Sequence, residues 1–377
     1  MITLSNKADC CGCSACVSAC SHKAVSFVQD GEGFMYPQVD TDKCINCRLC
    51  EKVCPIIKYK ELPKDANPDV YAAINKDTDE YFQSSSGGIF ILLCKYIISL
   101  GGVVCGVRYD DNFQVKHTFA HTLEECIPFM ESKYVQSDIQ GIFPEIRQLI
   151  KKSVPVLFSG TPCQVAGLKT YLQKDYQNLF TTDIICHGVP SPLVFKDYLT
   201  FVKGKREISH INMKSKSAEK GTAIRIDFAD GKSIRRTLKT DLWNKLYFSH
   251  YIVRPSCHDC QFTHYNRAGD ITIGDYWGIS KYYPKFYSEK MVSLVMVNND
   301  KGNLLFNEIF QSIDAIQINK YEASQNSLKA PCKPNSNRCQ FWIDYSEHNF
   351  KFIANKYLDY NFYNRLKEHI RMILLRR

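Results

Sequence analysis

Two runs of four cysteines near the start of the chain constrain its fold more than any other sequence feature. Both runs have the spacing Cys-x-x-Cys-x-x-Cys-x-x-x-Cys, formed by Cys10, Cys13, Cys16 and Cys20 and by Cys44, Cys47, Cys50 and Cys54. Three thiolates two residues apart can wrap one corner of an iron-sulfur cube, while the fourth reaches across to the neighbouring cube. The spacing therefore predicts two 4Fe-4S clusters, one held by Cys10, Cys13, Cys16 and Cys54 and the other by Cys44, Cys47, Cys50 and Cys20.

Two other uses of these cysteines fit the spacing less well. Zinc sites take four cysteines in two pairs rather than a repeated three-plus-one pattern. A disulfide framework is typical of small secreted proteins, and this chain has 377 residues, enough for two or three domains with their own cores. The second run ends with Cys54-Pro55, whereas Cys20 is followed by Ser21, and Cys11 is an additional thiol. The proline is not a ligand, so its absence leaves the cluster prediction intact.

Composition indicates the cellular compartment and the kinds of partner that this protein can have. The 18 cysteines are typical of a reducing compartment, and the first residues lack a charged start followed by an apolar run, so we expect a cytoplasmic protein. The most apolar stretch, residues 87–107, contains Lys95 and a Gly-Gly pair, and we expect a helix and a strand there rather than a membrane span. The net charge of +9 is compatible with an acidic partner, but no nucleic-acid-binding module is recognisable, so we expect no nucleic-acid partner.

The order of predicted elements indicates an α+β or α/β protein in four parts. Residues 1–60 form a ferredoxin-like domain with a hairpin over 24–39, and residues 61–69 form a linker rich in Lys, Asp and Pro. Residues 70–310 form an α/β domain that contains a β-rich region with strands at 208–213, 222–228 and 233–238. Residues 311–377 form a C-terminal region with a helical tail over 345–377. Its end is basic and amphipathic and could lie on a membrane surface, but packing on its own domain is the favoured interpretation.

A second set of four cysteines lies in the α/β part. Cys163 and Cys186 each follow a predicted buried strand, where α/β folds place their sites, and Cys257 and Cys260 form a short chelating pair. Together they can hold a third cluster, although a zinc site built from Cys257, Cys260, Cys332 and Cys339 has compatible spacing. Cys94, Cys105 and Cys126 lie in apolar contexts and are predicted to be ordinary buried residues.

Several motifs follow one another in order along the α/β part. They are the Ser-Ser-Gly-Gly loop at 85–88, SKYVQS at 132–137, GTPCQVAGL at 160–168, CHGVPS at 186–191, and Cys257-x-x-Cys260 followed by GDI at 269–271 and GDYWG at 274–278. Together they resemble the β-subunit family of coenzyme F420 (deazaflavin) hydrogenases and dehydrogenases. The resemblance runs from about residue 70 to residue 300.

This resemblance implies a bound FAD and an iron-sulfur cluster within the α/β domain. The flavin-site candidates carried over are Ser85, Ser86, Gly87, Gly88, Lys133, Tyr134, Gln136, Ser137, Gly160 and Thr161. The resemblance also implies Cys163, Cys186, Cys257 and Cys260 as ligands of the third cluster. A serine-glycine loop at a helix start can cradle an anion, although a serine there is more often a helix cap.

Flavin and clusters together predict a converter between two-electron and one-electron chemistry. We expect an FAD-dependent iron-sulfur oxidoreductase that exchanges electrons with ferredoxin or another redox partner and reduces or oxidises a small organic substrate at FAD. The alternatives are a deazaflavin oxidoreductase, a non-catalytic electron-transfer subunit of a larger complex, and an iron-sulfur redox sensor without flavin. His187 is a weak candidate for a proton donor near the flavin, because a histidine in a loop is more often structural.

Overall fold

A computed structural model describes residues 1–59, 65–216, 222–237, 239–287, 290–323 and 325–360. The ferredoxin-like part contains a two-stranded antiparallel hairpin flanked by short helices at the cysteine runs. Asp30 organises the hairpin turn, since its carboxylate accepts from the backbone N–H groups of Glu32 and Phe34. The elements of this part are α1 (Ala15–Ala19), β1 (Val25–Gln29), β2 (Met35–Val39), α2 (Leu49–Lys52) and α3 (Pro55–Tyr59).

The remaining chain contains a three-stranded sheet, on which several helices pack, and a large eight-stranded mixed sheet. The strands of the large sheet are β3 (Asp69–Asn75), β4 (Val103–Tyr109), β5 (Val115–Ala120), β6 (Val156–Gly160), β7 (Leu179–Ile184), β11 (Ile271–Asp275), β12 (Ser293–Val297) and β13 (Ile313–Gln317). The smaller antiparallel sheet consists of β8 (Ile208–Ser215), β9 (Ala223–Phe228) and β10 (Ser233–Thr237). The helices are α4 (Thr78–Gln83), α5 (Ile89–Ser99), α6 (Leu123–Cys126), α7 (Ile142–Lys151), α8 (Pro162–Leu172), α9 (Pro192–Lys203), α10 (Leu242–Phe248), α11 (Ile279–Tyr282), α12 (Pro284–Tyr287), α13 (Asp300–Ile309), α14 (Arg338–Glu347) and α15 (Phe350–Tyr357). Helices α9, α10, α14 and α15 pack on the smaller sheet.

The order of the large sheet is β13-β3-β12-β11-β7-β6-β4-β5. Strands β4, β6, β7 and β11 are parallel to one another, and antiparallel strands flank this core on both sides. Alternate residues of the core strands face opposite layers: Leu157 packs with the α5 and α13 side chains, whereas Val156 and Phe158 pack with those of α7 and α8. Because both faces are covered, these strands are apolar on both sides. The carboxyl ends of β6, β7 and β11 therefore meet at one edge, where α/β folds place ligands.

The ferredoxin-like part packs directly on the α/β part. Its buried Val53 and Ala15 share a core with residues of α7 and α8, and the Thr170 hydroxyl on α8 donates to the Val53 carbonyl at 2.7 Å. The predicted fold class, a ferredoxin-type domain joined to an α/β domain with an extra β-rich region and C-terminal helices, is confirmed.

Several predicted boundaries differ from the structure. Helix α6 ends at Cys126 and continues as a 3-10 turn, because Pro128 has no N–H to donate to the helix. The single helical tail expected from residue 345 is wrong at its start: α14 ends at Glu347, and Asn349 caps a new helix by accepting from Phe352 N–H. The rest of that tail, from residue 361, lies outside the described residues. Strand β13 pairs with β3, so the sheet continues beyond residue 310, where the predicted α/β domain ended.

No helix in the described parts of the chain is long and apolar enough to cross a membrane.

Candidate functional site

The ferredoxin-like part contains two cavities, each lined by one predicted ligand set. Cys10, Cys13, Cys16 and Cys54 line the first, together with Cys11, and Cys20, Cys44, Cys47 and Cys50 line the second. The fourth cysteine of each run thus lies with the first three of the other. We call the first set the inner set, because it faces the α/β part, and the second the outer set, in which Cys47 is exposed.

The inner thiols are chemically suited to bind a cationic iron cluster. Burial, reinforced by the neighbouring Cys10 and Cys54, raises the pKa of Cys16 to about 12. Burial also raises the pKa of Cys54. Buried thiolates placed this close repel one another. The positive charge of bound iron ions offsets that repulsion and keeps the thiols deprotonated. The donor set therefore fits a 4Fe-4S cluster.

Backbone N–H groups donate to sulfurs of the outer set. Ala24 N–H lies 3.3 Å from Cys20 Sγ, and Ile2 N–H lies 3.3 Å from Cys50 Sγ. Such hydrogen bonds stabilise negative charge on the ligands and raise the reduction potential of a bound cluster.

The four cysteines predicted for the third cluster come together at the edge of the large sheet. Cys163 lies in the first turn of α8 after β6, Cys186 follows β7, and Cys257 and Cys260 lie on and just after a 3-10 helix at Pro255–Asp259. Burial, and then the nearby Cys163, raises the pKa of Cys260 to about 11. Val189 N–H donates to Cys257 Sγ at 3.4 Å. We call these four residues the third set.

The inner and third sets approach each other at Cys11. Cys13 of the inner set and Cys163 of the third set both act electrostatically on its buried thiol. Cys163 in turn contacts the Thr161 hydroxyl at 3.2 Å. The additional thiol of the first run therefore lies between two ligand sets.

The two remaining C-terminal cysteines lie in different surroundings. Cys332 Sγ is 3.6 Å from His258 Nδ1 and 3.8 Å from the Cys257 carbonyl, at the border of the third set, whereas Cys339 is exposed on α14. Within the described residues, no three His, Cys, Asp or Glu side chains converge on a single metal ion. Cys94, Cys105 and Cys126 are fully buried, which confirms that prediction.

The predicted flavin loop lies at the start of α5. The Ser85 hydroxyl accepts from Ser132 N–H at 2.6 Å, and Gly87 N–H donates to the Ser293 hydroxyl at 2.8 Å. Gly88 caps the helix in the left-handed conformation, with φ of 82°, and no side chain caps α5. The Ser86 hydroxyl is 3.4 Å from the Val292 carbonyl. Hydrogen bonds to Ser132 and Ser293 thus hold the loop in place, and no side chain among the described residues accepts from the backbone N–H groups at the start of α5.

The other flavin candidates divide into two neighbourhoods. Lys133 Nζ donates to the Glu131 carbonyl at 2.7 Å, and Tyr134 stacks on Tyr247 with ring centroids 5.7 Å apart. The second neighbourhood contains Ser137 and Thr161, which are connected by Gln164. Gln164 Oε1 accepts from Thr161 N–H at 2.9 Å, and its Nε2 donates to the Ser137 hydroxyl at 3.0 Å.

Gln136 and Gly160 also lie away from the α5 loop. Gln136 Nε2 donates to the Cys11 carbonyl at 3.2 Å, so its side chain faces the ferredoxin-like part. A Cβ on Gly160 would lie 3.1 Å from Gln164 Oε1.

Sequence reasoning missed two lysines beside the α5 loop. Lys214 is buried and pairs with Asp275, at the end of β11. Lys216 donates to the Tyr81 and Ser86 carbonyls, and burial, followed by the charge of Lys214, lowers its pKa to about 7. The sequence signal was Lys-Ser-Lys at the end of a strand, which by itself predicts only an exposed polar segment.

His187 lies beside the third set rather than the α5 loop. Its Nε2 is 2.8 Å from His250 Nε2, and its ring contacts the Tyr247 ring edge-on at 5.5 Å between centroids. Burial, followed by the charge of His250, lowers the pKa of His187. The role proposed for it stays a prediction.

Two cysteine-lined cavities and a third cysteine set on an α/β sheet define an iron-sulfur protein of the oxidoreductase class. Residues 155–323 match the family model for the C-terminal region of the coenzyme F420 hydrogenase/dehydrogenase β subunit, and residues 9–56 match the 4Fe-4S dicluster domain. Residues 155–323 therefore form a C-terminal domain of the coenzyme F420 hydrogenase/dehydrogenase β-subunit type, and residues 9–56 form a 4Fe-4S dicluster domain.

Comparison with solved structures finds a chain from a xenon-derivatised F420-reducing [NiFe] hydrogenase complex of Methanosarcina barkeri. That match has a TM-score of 0.46 and 16% identity, and it covers 76% of this chain and 93% of that chain. Comparison with the curated proteins gives no match.

Proposed function

We propose that this protein is an iron-sulfur flavoprotein oxidoreductase in which electrons pass singly between a redox partner and an FAD through three 4Fe-4S clusters. The observation that carries the proposal is the closeness of Cys11 to Cys163, because it brings the inner ligand set next to the third set. The exposed Cys47 marks the outer set as the end that a partner can reach. The order along the chain of clusters is then outer, inner, third.

The region beside α5 supports an FAD site. The uncapped α5 N-terminus offers backbone N–H groups to a phosphate, and Lys214 and Lys216 add positive charge nearby. The Trp277 ring, 60% exposed and 5.6 Å from Lys214 Nζ, is suited to stack on a planar ring. FAD exchanges two electrons with an organic molecule and one at a time with a cluster. The residues of this chain bind the phosphates, orient the ring and exclude water.

Two aromatic rings lie between the proposed flavin site and the third set. Tyr247 stacks on Tyr134, and its hydroxyl donates to the Gly188 carbonyl at 3.0 Å, in the loop that follows Cys186. Lys214 and Asp275 influence the Tyr134 hydroxyl from the other side. The third cluster is therefore the one that would exchange electrons with the flavin.

Cofactor analysis of one anaerobic preparation tests this proposal. We expect about twelve irons and one FAD per chain, without stoichiometric zinc. About eight irons with zinc would indicate that the third set holds a structural zinc ion instead of a cluster. Intact clusters without flavin would refute the flavoenzyme and leave an electron carrier or a redox sensor.

A second candidate is a non-catalytic electron-transfer subunit, and the family observation favours it, since the matching family model describes a β subunit. Turnover of a small organic substrate, beginning with the deazaflavin coenzyme, by the isolated chain with a one-electron donor would support the enzyme. Activity only within a stable complex would support the subunit.

A further inference from the structure

Arg254 is a buried cation that bridges the ferredoxin-like part and the α/β part. Its side chain is fully buried, and it immediately precedes the 3-10 helix that carries Cys257. Its Nε donates to the Cys10 carbonyl at 2.8 Å, and its Nη2 donates to the Met35 carbonyl at 2.9 Å. Its Nη1 donates to Gln136 Oε1 at 3.0 Å. Every one of these acceptors is neutral.

A buried charge of this kind requires compensation. None of the ion pairs in the described chain includes Arg254, whereas the other fully buried arginine, Arg267, pairs with Asp183 at 3.2 Å. An unpaired buried cation is expensive, because neutral acceptors replace only part of its hydration. The Tyr36 ring, 4.4 Å from the guanidinium carbon, supplies a further partial negative charge.

The position of Cys10 Sγ indicates which negative charge can compensate the Arg254 guanidinium. Nη2 of Arg254 lies 3.7 Å from Cys10 Sγ, so the guanidinium already faces a predicted ligand of the inner cluster. A 4Fe-4S cluster with four thiolate ligands becomes more negative on reduction, and its net charge and hydrogen bonds set its reduction potential. We propose that the Arg254 guanidinium is the counter-charge of the inner cluster and that it raises the reduction potential of this cluster.

The surroundings hold the guanidinium in place. Gln136 links it to the Cys11 carbonyl, which Gln136 Nε2 reaches at 3.2 Å. Gly12, with φ of +71°, leaves room for both side chains, since a Cβ there would lie 2.8 Å from Gln136 Nε2 and 2.9 Å from Arg254 Nη1. Arg254 is thus a positioning residue for electron transfer: it contacts Cys10 of the inner set and directly precedes the 3-10 helix that carries Cys257 of the third set.

The inference rests on the inner cluster of the proposed function, and a redox titration of the anaerobic full-length protein, followed by electron paramagnetic resonance, tests it. We expect Arg254→Gln to lower the reduced-to-oxidised ratio of the inner cluster about tenfold at a given potential, which is a shift of about 59 mV for one electron. Arg254→Lys, which keeps the charge, should recover most of this shift.

Two further variants separate the charge from the shape of the site. Gln136→Glu keeps the side-chain size but places a carboxylate 3.0 Å from Arg254 Nη1, so it should lower the same potential with Arg254 still present. Arg338→Gln is the matched control: Arg338 pairs with Glu32 of the ferredoxin-like part and donates to the Val253 carbonyl at 3.2 Å, so it joins the same two parts through another contact. It should leave the potential unchanged.

The outcomes distinguish this inference from the proposed function. A wild-type protein without clusters would refute the proposed function itself. A loaded inner cluster whose potential is unmoved in Arg254→Gln or in Gln136→Glu would overturn the inference alone. If Arg254→Gln fails to fold, Gln136→Glu decides. Loss of the inner cluster in Gln136→Glu but not in Gln136→Met, which removes the same donor to the Cys11 carbonyl without adding charge, would support the inference, and loss in both variants would overturn it.

Discussion

Substituting Gly167 by alanine tests how tightly α8 fixes the inner cluster ligands. A Cβ on Gly167 would lie 2.8 Å from Cys13 Cβ and 2.9 Å from Cys13 Sγ. Favourable contacts between carbon atoms begin at about 3.5 Å, so Cys13 must move by several tenths of an ångström. Helix propensity alone favours alanine over glycine by about 1 kcal/mol, whereas overpacking costs about 1–3 kcal/mol. We therefore expect little net change in the fold, or a loss of up to about 2 kcal/mol.

The effect on the cluster should exceed the effect on the fold. A ligand displaced by several tenths of an ångström no longer matches the cluster, since metal-ligand distances tolerate about 0.2 Å. Gly167→Ala should lose about four of the expected twelve irons, together with the inner-cluster signal. Iron analysis and electron paramagnetic resonance of anaerobic protein measure both. Gly31→Ala is the control, because a Cβ on Gly31, in the hairpin turn of the same part, would meet no atom within 4 Å. Full iron and an unchanged inner-cluster signal in Gly167→Ala would refute the reasoning.

Three further predictions concern the third set, the flavin site and a buried histidine. Cys186→Ser should remove about four irons, and Cys332→Ser should leave iron content unchanged; equal losses would place Cys332 among the ligands. Lys216→Met should release FAD during gel filtration with iron content unchanged, and retained FAD would argue against the proposed site. Burial lowers the pKa of His117 in the folded protein to about 4. The unfolded chain, in which this pKa is about 6.5, therefore binds a proton on His117 more readily than the folded protein does. The free energy of unfolding should accordingly fall as pH drops from about 6.5 to about 4. Urea unfolding should show about 1 kcal/mol less stabilisation at pH 5.5 than at pH 7 from this group, and His117→Gln, which can still donate to the Ser159 carbonyl, should remove that difference.

The parts of the fold that sequence predicted well are those where a local pattern and the tertiary environment agree. The hairpin predicted over 24–39 contains β1 and β2, and the strands predicted at 208–213, 222–228 and 233–238 match β8, β9 and β10 to within two residues at each end. Strand β13 was missed because Asp314 and Gln317 interrupt its apolar residues at the edge of the sheet. Its pairing with β3 joins residues more than two hundred positions apart, which no local pattern reports.

The candidate site shows the same division. Cysteine spacing is local, so the two N-terminal sets could be predicted, and the strand ends that carry Cys163 and Cys186 followed from the α/β alternation. The closeness of Cys11 to Cys163 could not be predicted, because it depends on how the ferredoxin-like part packs against α8. Arg254 and Lys216 were missed for the same reason: a charged residue in sequence is assigned to the surface until its burial is known.

If the proposed electron path is correct, the contacts between the two parts place it within one unit rather than between mobile domains. Glu32 at the hairpin tip pairs with Arg338, its carbonyl accepts from the Ser191 hydroxyl at 2.5 Å, and a Cβ on Gly33 would lie 2.4 Å from Leu193 Cβ. These contacts do not use the Arg254 side chain, so they hold the ferredoxin-like part on the α/β part through other groups. Weakening them should slow transfer between the inner and third clusters and leave both potentials unchanged, whereas removing the Arg254 charge should change a potential at constant geometry. The rate and the driving force of the same electron step therefore depend on different residues of this chain.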